Sequence, residues 1–140
     1  MKTPFRQPGF SLVELLVVLA ILALLVGLVG PRMMQQLGGA KADTAKLQIA
    51  DLSAALDLYY IDVGSYPSTE QGLQALLKSP SNAANWNGPY LKKQRIPDDP
   101  WGEPFKYKFP GESAEYDLLS LGADKAPGGE GDAQDQVSWQ

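Results

Sequence analysis

Three aspartates near the C-terminus, Asp124, Asp132 and Asp135, share a short segment with Gly128, Gly129 and Gly131. Carboxylates are what hard cations select: Ca²⁺ takes about 6–8 oxygens from carboxylates, carbonyls and water. A glycine-rich segment is supple enough to fold around such an ion. The spacing does not match the EF-hand pattern, and Asp is also a common turn residue in solvated loops. On spacing alone, a cation-binding loop and a solvated acidic tail both stay open. Another acid stands apart. Glu14 lies within Phe10–Val29, 20 residues interrupted only by Ser11 and Glu14 itself. A charge at the centre of a bilayer costs about 2.5–3.5 kcal/mol on insertion scales. Glu14 therefore either snorkels to the interface or meets a cation inside the membrane. Cleavage between Gly9 and Phe10 would create such a cation, a terminal ammonium about one helical turn before Glu14.

The missing residue types narrow the chemistry. The chain of 140 residues contains no Cys and no His. Disulfides, thiolate metal sites, cysteine nucleophiles, imidazole bases and His-ligated zinc are all excluded. Nothing places two acids, or a Ser and a Lys, in a catalytic constellation, so a non-catalytic role is expected. Lys+Arg number 12 against 16 Asp+Glu, a formal net charge of −4 with pI near 4.7. That balance argues against a nucleic-acid partner, which rewards basic patches. Charge is also uneven along the chain. Residues 1–9 carry Lys2 and Arg6 and no acid, whereas residues 112–140 carry seven acids and one lysine.

Several elements must position these groups. From Leu15 to Val29 every residue is apolar or Gly, and a helix of about 20 such residues spans the roughly 30 Å of a bilayer. A secretory signal would need an A-x-A-like cleavage site after its apolar stretch. Gly30-Pro31-Arg32 follows instead, so the segment is expected to remain as an anchor. Beyond Pro31, Ala45, Ile49, Leu52, Leu56, Tyr59 and Val63 recur at spacings of four and three, one apolar stripe of an amphipathic helix. One helix is thus expected from about Phe10 to Ile61, weakened at Gly38-Gly39. A short helix over Gly72–Lys78 and a loop over residues 80–89 follow. Phe105, Tyr107 and Phe109 alternate with Lys106 and Lys108 as in a half-buried strand. Tyr116–Leu121 reads as a second alternating strand. The fold class is α+β, a long N-terminal helix packed on a small antiparallel sheet.

Arg6-Gln7-Pro8-Gly9-Phe10-Ser11-Leu12-Val13-Glu14 resembles the class III signal of type IV pilins and pseudopilins. The resemblance implies a leader of residues 1–9, cut by a prepilin peptidase after Gly9, and N-methylation of Phe10. It implies an assembly and transmembrane helix over residues 10–30, in which Glu14 pairs with a neighbouring subunit's terminus, and a domain over residues 31–140. Tyr66-Pro67-Ser68-Thr69-Glu70-Gln71-Gly72, Gly88-Pro89-Tyr90-Leu91, Asp99-Pro100-Trp101-Gly102 and Ser120-Leu121-Gly122-Ala123-Asp124 resemble the major pseudopilins of type II secretion. That family implies a pilin-like fold and a single-pass inner-membrane subunit with a periplasmic domain in a Gram-negative cell. Such subunits polymerise into a pseudopilus together with minor pseudopilins, an inner-membrane assembly platform and an outer-membrane secretin. The resemblance also implies a Ca²⁺ loop with the Leu121 carbonyl, Asp124 and Asp135 as ligands and Asp132 as a further one. Lys125 stands where Gly is usual in that loop. An acid on the helix, Asp57, would pair with Lys92, Lys93 or Arg95 of a neighbour, and Ser53 stands where a second acid is usual. A type IV pilin, a minor pseudopilin and a monomeric membrane-anchored Ca²⁺ module are the alternatives.

Overall fold

The computed structural model describes residues 9–140; residues 1–8 of the expected leader 1–9 lie outside the described residues. Helix α1 spans Leu12–Val63, 52 residues, and runs through Pro31. Both ends fall two residues later than the sequence pattern predicts, because the end groups decide them. Ser11 precedes the first turn as its cap. At the other end the Gly64 N–H donates to the Tyr60 carbonyl at 2.8 Å with a φ of +87°. That left-handed residue closes a helix most easily as Gly.

The chain divides into two compact units, residues 1–36 and 37–140. In the first, the described residues are the apolar half of α1. Its best 18-residue window has a mean hydropathy of 3.1 with none of it buried, so the helix is long and apolar enough to cross a membrane. The second unit holds the core. Ala45, Ile49, Leu52, Ala55, Leu56 and Tyr59 are buried along one face of α1, the expected stripe with Ala55 added and Val63 only half-buried. All but Ala45 cluster with Leu73 and Leu76 from a 3-10 helix over Gly72–Leu76, with Phe105, and with Leu118 from the sheet. The predicted helix over Gly72–Lys78 is thus shorter and more tightly wound.

Strand β1 covers Lys106–Lys108, β2 covers Asp117–Ser120 and β3 covers Gln136–Val137, in the order β1-β2-β3. Both pairings are antiparallel, with Tyr107 opposite Leu118 and Ser120 opposite Gln136. Strand β3 is too short to leave an alternation in the sequence. It places β2 in the centre of the sheet, and there the simple alternation fails. Leu118 and Ser120 are buried as one face requires, yet Asp117 is buried too. Its oxygens accept the backbone N–H groups of Glu112, Ser113 and Ala114. Those bonds, chiefly the one from Glu112, hold its carboxyl below the usual carboxylate range. The aspartate therefore closes the turn between β1 and β2.

Candidate functional site

The start of α1 gives Glu14 a local partner. Its Oε2 accepts the Ser11 N–H at 2.9 Å, and the Ser11 Oγ accepts the Val13 N–H at 3.3 Å. The pair is a capping box in which the serine hydroxyl takes the N–H at the second helical position, and it satisfies helix donors that have no partner of their own. The spacing Ser11-x-x-Glu14 carried that signal in the sequence, and the reading of Glu14 as a membrane cation's partner passed over it. The two roles are compatible, since a carboxylate has several acceptor positions. Gly9 and Phe10 lie before the helix, and Phe10 is 79% exposed.

Asp57 sits on the exposed side of α1, where its Oδ1 accepts the Tyr66 hydroxyl at 2.9 Å. Lys92, Lys93 and Arg95 are exposed in the bends after Tyr90-Leu91. They line a groove of about 600 Å³ whose helix side includes Gln48, Asp51 and Leu58 but not Asp57. The ion pairs among the described residues are Lys108–Glu112 and Lys125–Glu103, so the three bases of the groove have no charged partner among those residues. The structure gathers the bases and holds Asp57 apart from them. The Tyr90 hydroxyl donates to Asp62 at 2.9 Å and accepts the Asn87 N–H, which anchors the segment leading to the bases.

The acidic loop is closed by its own backbone. The Ala123 N–H donates to the Asp132 carbonyl at 2.9 Å, and the Asp135 N–H donates to the Gly128 carbonyl at 3.2 Å. Asp124 Oδ1 accepts the Ala126 N–H, and Asp135 Oδ2 accepts the Gly128 N–H at 3.0 Å. Lys125 between them has a φ of +59°, a left-handed conformation that Gly adopts without cost and other residues adopt reluctantly. Its ammonium pairs with Glu103 at 2.5 Å. Leu121 is half-buried where the loop leaves β2.

The three aspartates differ in their surroundings. Asp135 Oδ1 is buried with no hydrogen-bond partner. A buried acceptor left unsatisfied costs about 1–3 kcal/mol, more when charged, and a hard cation would satisfy it. Asp124 is exposed at the rim of the loop. Asp132 lies over α1: a Cβ built on Gly38 would stand 2.6 Å from the Asp132 Cβ and 3.1 Å from its Oδ2. Among the described residues no three acids converge as a metal cluster. Leu121, Asp124 and Asp135 are the residues that could hold a cation in this closed loop, with Asp132 directed at the helix.

The contact at Gly38 reverses the reading of Gly38-Gly39 as a weak spot alone. Gly38→Ala should gain about 1 kcal/mol of helix propensity. It should lose more, since forcing a methyl into packed atoms costs about 1–3 kcal/mol and the nearest atom is a Cβ rather than a mobile side-chain tip. Thermal melts of the residue 31–140 domain should find the variant less stable by up to about 2 kcal/mol. A variant more stable than the parent would show that the loop has no fixed seat on the helix.

The sequence profile described as type II secretion system protein G matches residues 32–139. The chain belongs to that family. It is 46% identical to the type II secretion system core protein G of Pseudomonas aeruginosa over 138 residues, 96% of each chain. With the core protein G of Vibrio cholerae it shares 40% over 142 residues, 99% of this chain and 96% of the relative. Its fold matches the crystal structure of the major pseudopilin from the type 2 secretion system of enterohaemorrhagic Escherichia coli. That match has a TM-score of 0.66 at 32% identity and covers 78% of this chain and 95% of the other. A prokaryotic N-terminal methylation motif matches residues 4–30. These findings favour the major pseudopilin over the type IV pilin, minor pseudopilin and free-standing module, and with the apolar helix they make it a membrane-anchored subunit.

In this pseudopilin the sequence blocks that carry the resemblance have structural duties. Asp99 is 5% exposed; its Oδ1 accepts the Trp101 and Glu103 N–H groups, and its Oδ2 accepts the Ser120 hydroxyl at 2.5 Å. One carboxylate thereby ties the Asp99–Gly102 turn to β2. The Tyr107 hydroxyl donates to the Pro67 carbonyl at 2.8 Å, joining β1 to the Tyr66-Pro67 block.

Proposed function

We propose that this pseudopilin is cut after Gly9, N-methylated at Phe10 and polymerised from the inner membrane into a periplasmic pseudopilus. The observation that carries the proposal is Gly9-Phe10 standing before a helix that opens on Glu14, in a chain of the protein G family. An exposed apolar helix needs either lipid or other helices around it, and a fibre supplies the second. Glu14 would take the terminal ammonium of a neighbouring copy. Asp57 would take Lys92, Lys93 or Arg95 of another. The subunit acts by assembly and not by catalysis, working with the prepilin peptidase, minor pseudopilins, an inner-membrane platform and an outer-membrane secretin.

The acidic loop is proposed to bind Ca²⁺ through the Leu121 carbonyl, Asp124 and Asp135. The unpartnered Oδ1 of Asp135 supports this reading. Bound Ca²⁺ would neutralise the local charge and supply the partner that oxygen lacks. N-terminal sequencing and mass measurement of the protein purified from membranes test the processing step. The expected first residue is N-methyl-Phe10. An intact Met1, or a start after Gly30, would overturn the assignment.

A further inference from the structure

Asp57 is on the exposed side of α1, where a free carboxylate samples several rotamers. An exposed ion pair gains little partly because two mobile side chains must be held in one geometry. Asp57 is not free. The Tyr66 hydroxyl donates to its Oδ1 at 2.9 Å, and Tyr66 itself is wedged among aromatic rings. Its centroid lies 4.8 Å from Tyr60, 4.8 Å from Tyr116 and 5.8 Å from Phe109. Ring packing therefore sets where the hydroxyl is, and the hydroxyl sets where the carboxylate is. Burial and the nearby Asp57 carboxylate raise the Tyr66 phenol well above its ordinary range, so it stays a donor.

We infer that Tyr66 is a positioning residue for subunit assembly, holding the Asp57 carboxylate by one oxygen so that the other is presented to a cation of a second copy. The inference rests on the proposed role of Asp57 in the fibre. It gives the Tyr66-Pro67 block a task beyond the core. The chain turns back after α1 through Gly64, and this brings a residue nine positions on to the same carboxylate. The hydroxyl's contribution is preorganisation: the cost of fixing Asp57 is met when the monomer folds and not when subunits join.

The test uses the full chain in membranes, with assembled protein measured by cross-linking and by fibre recovery. Tyr66→Phe keeps the ring and removes only the O–H. It should lower the assembled fraction about fivefold, the upper end of one exposed pair. The effect should shrink as salt is raised, and melting of the domain should shift by only a few degrees. Asp57→Asn should impair assembly comparably, and adding Tyr66→Phe to it should cost nothing more. Asp57→Glu, on an exposed helix face that tolerates it, keeps the charge but moves the carboxylate by one methylene, and should also assemble poorly. Normal assembly of Tyr66→Phe or Asp57→Glu beside a defective Asp57→Asn overturns this inference alone, as do additive losses in the double variant. Normal assembly of Asp57→Asn overturns the role of Asp57 and this inference with it.

Discussion

Glu14→Gln will leave the start of α1 intact and abolish fibre formation. The capping box accepts Gln as well as Glu at its third helical position, so the Ser11 N–H keeps its acceptor. Membrane insertion should be at least as good, because an inserted charge costing about 2.5–3.5 kcal/mol has been removed. What disappears is the negative charge that, on the proposed assembly, faces a neighbour's terminal ammonium. Leaving one member of a buried ion pair without its partner costs about 3–5 kcal/mol, enough to reduce assembly by more than a hundredfold. Glu14→Leu removes the charge and also the acceptor of the Ser11 N–H. The pair of variants separates the two roles. If the charge governs assembly, Gln and Leu fail alike while both insert. If the cap governs it, the Gln variant assembles and only Leu fails. Fibre recovery from membranes carrying each variant decides the matter.

Calcium should raise the melting temperature of the domain lacking residues 1–30 by about 10–20 °C over chelator. A ligand present at a hundredfold excess over Kd adds about 2.7 kcal/mol if it binds only the folded state. A domain of this size shifts by about 4 °C per kcal/mol, which sets the lower end of that range. Mg²⁺ should substitute poorly because it demands a tighter octahedral shell. Asp124→Ala and Asp135→Ala should each erase the difference between calcium and chelator. Asp132→Ala should keep most of it, because its carboxylate lies over Gly38. Equal melting in calcium and chelator would return the loop to a solvated acidic tail, with Asp135 Oδ1 still lacking a partner.

Much of this architecture could be read from the chain because it is periodic. The stripe from Ala45 to Tyr59 is legible since a helix repeats its buried face every three or four residues. Phe105, Tyr107 and Phe109 are legible since a strand repeats every two. Strand β3 was not, since two residues hold no period and its pairing is set by β2. The burial of Asp117 escaped the alternation rule because that rule assumes the second face meets water. Gly38 was read for what Gly does to a helix, whereas its neighbour in space, Asp132, is 94 positions away. Asp57 was singled out by resemblance as an acid on the helix, but its bond to Tyr66 depends on how Gly64 turns the chain. The sites were legible as residue types and blocks; their contacts follow from tertiary packing.

The buried positions of α1 begin at Gly38, and no earlier described residue is buried. The buried core of the second unit is built from that unit's own residues. On the proposed assembly, a subunit passing from bilayer to fibre has no need to refold its head. The passage is a partition equilibrium of the stem alone, between two apolar phases: lipid tails and the packed stems of other copies. Because both phases solvate Leu and Val about equally well, the hydrophobic effect gives little preference for either. The direction of transfer is then left to whatever distinguishes the phases, chiefly the few polar groups on the stem. A stem this uniformly apolar has little preference between the two, and on the proposed assembly the Glu14 carboxylate is the group that would bias where it rests.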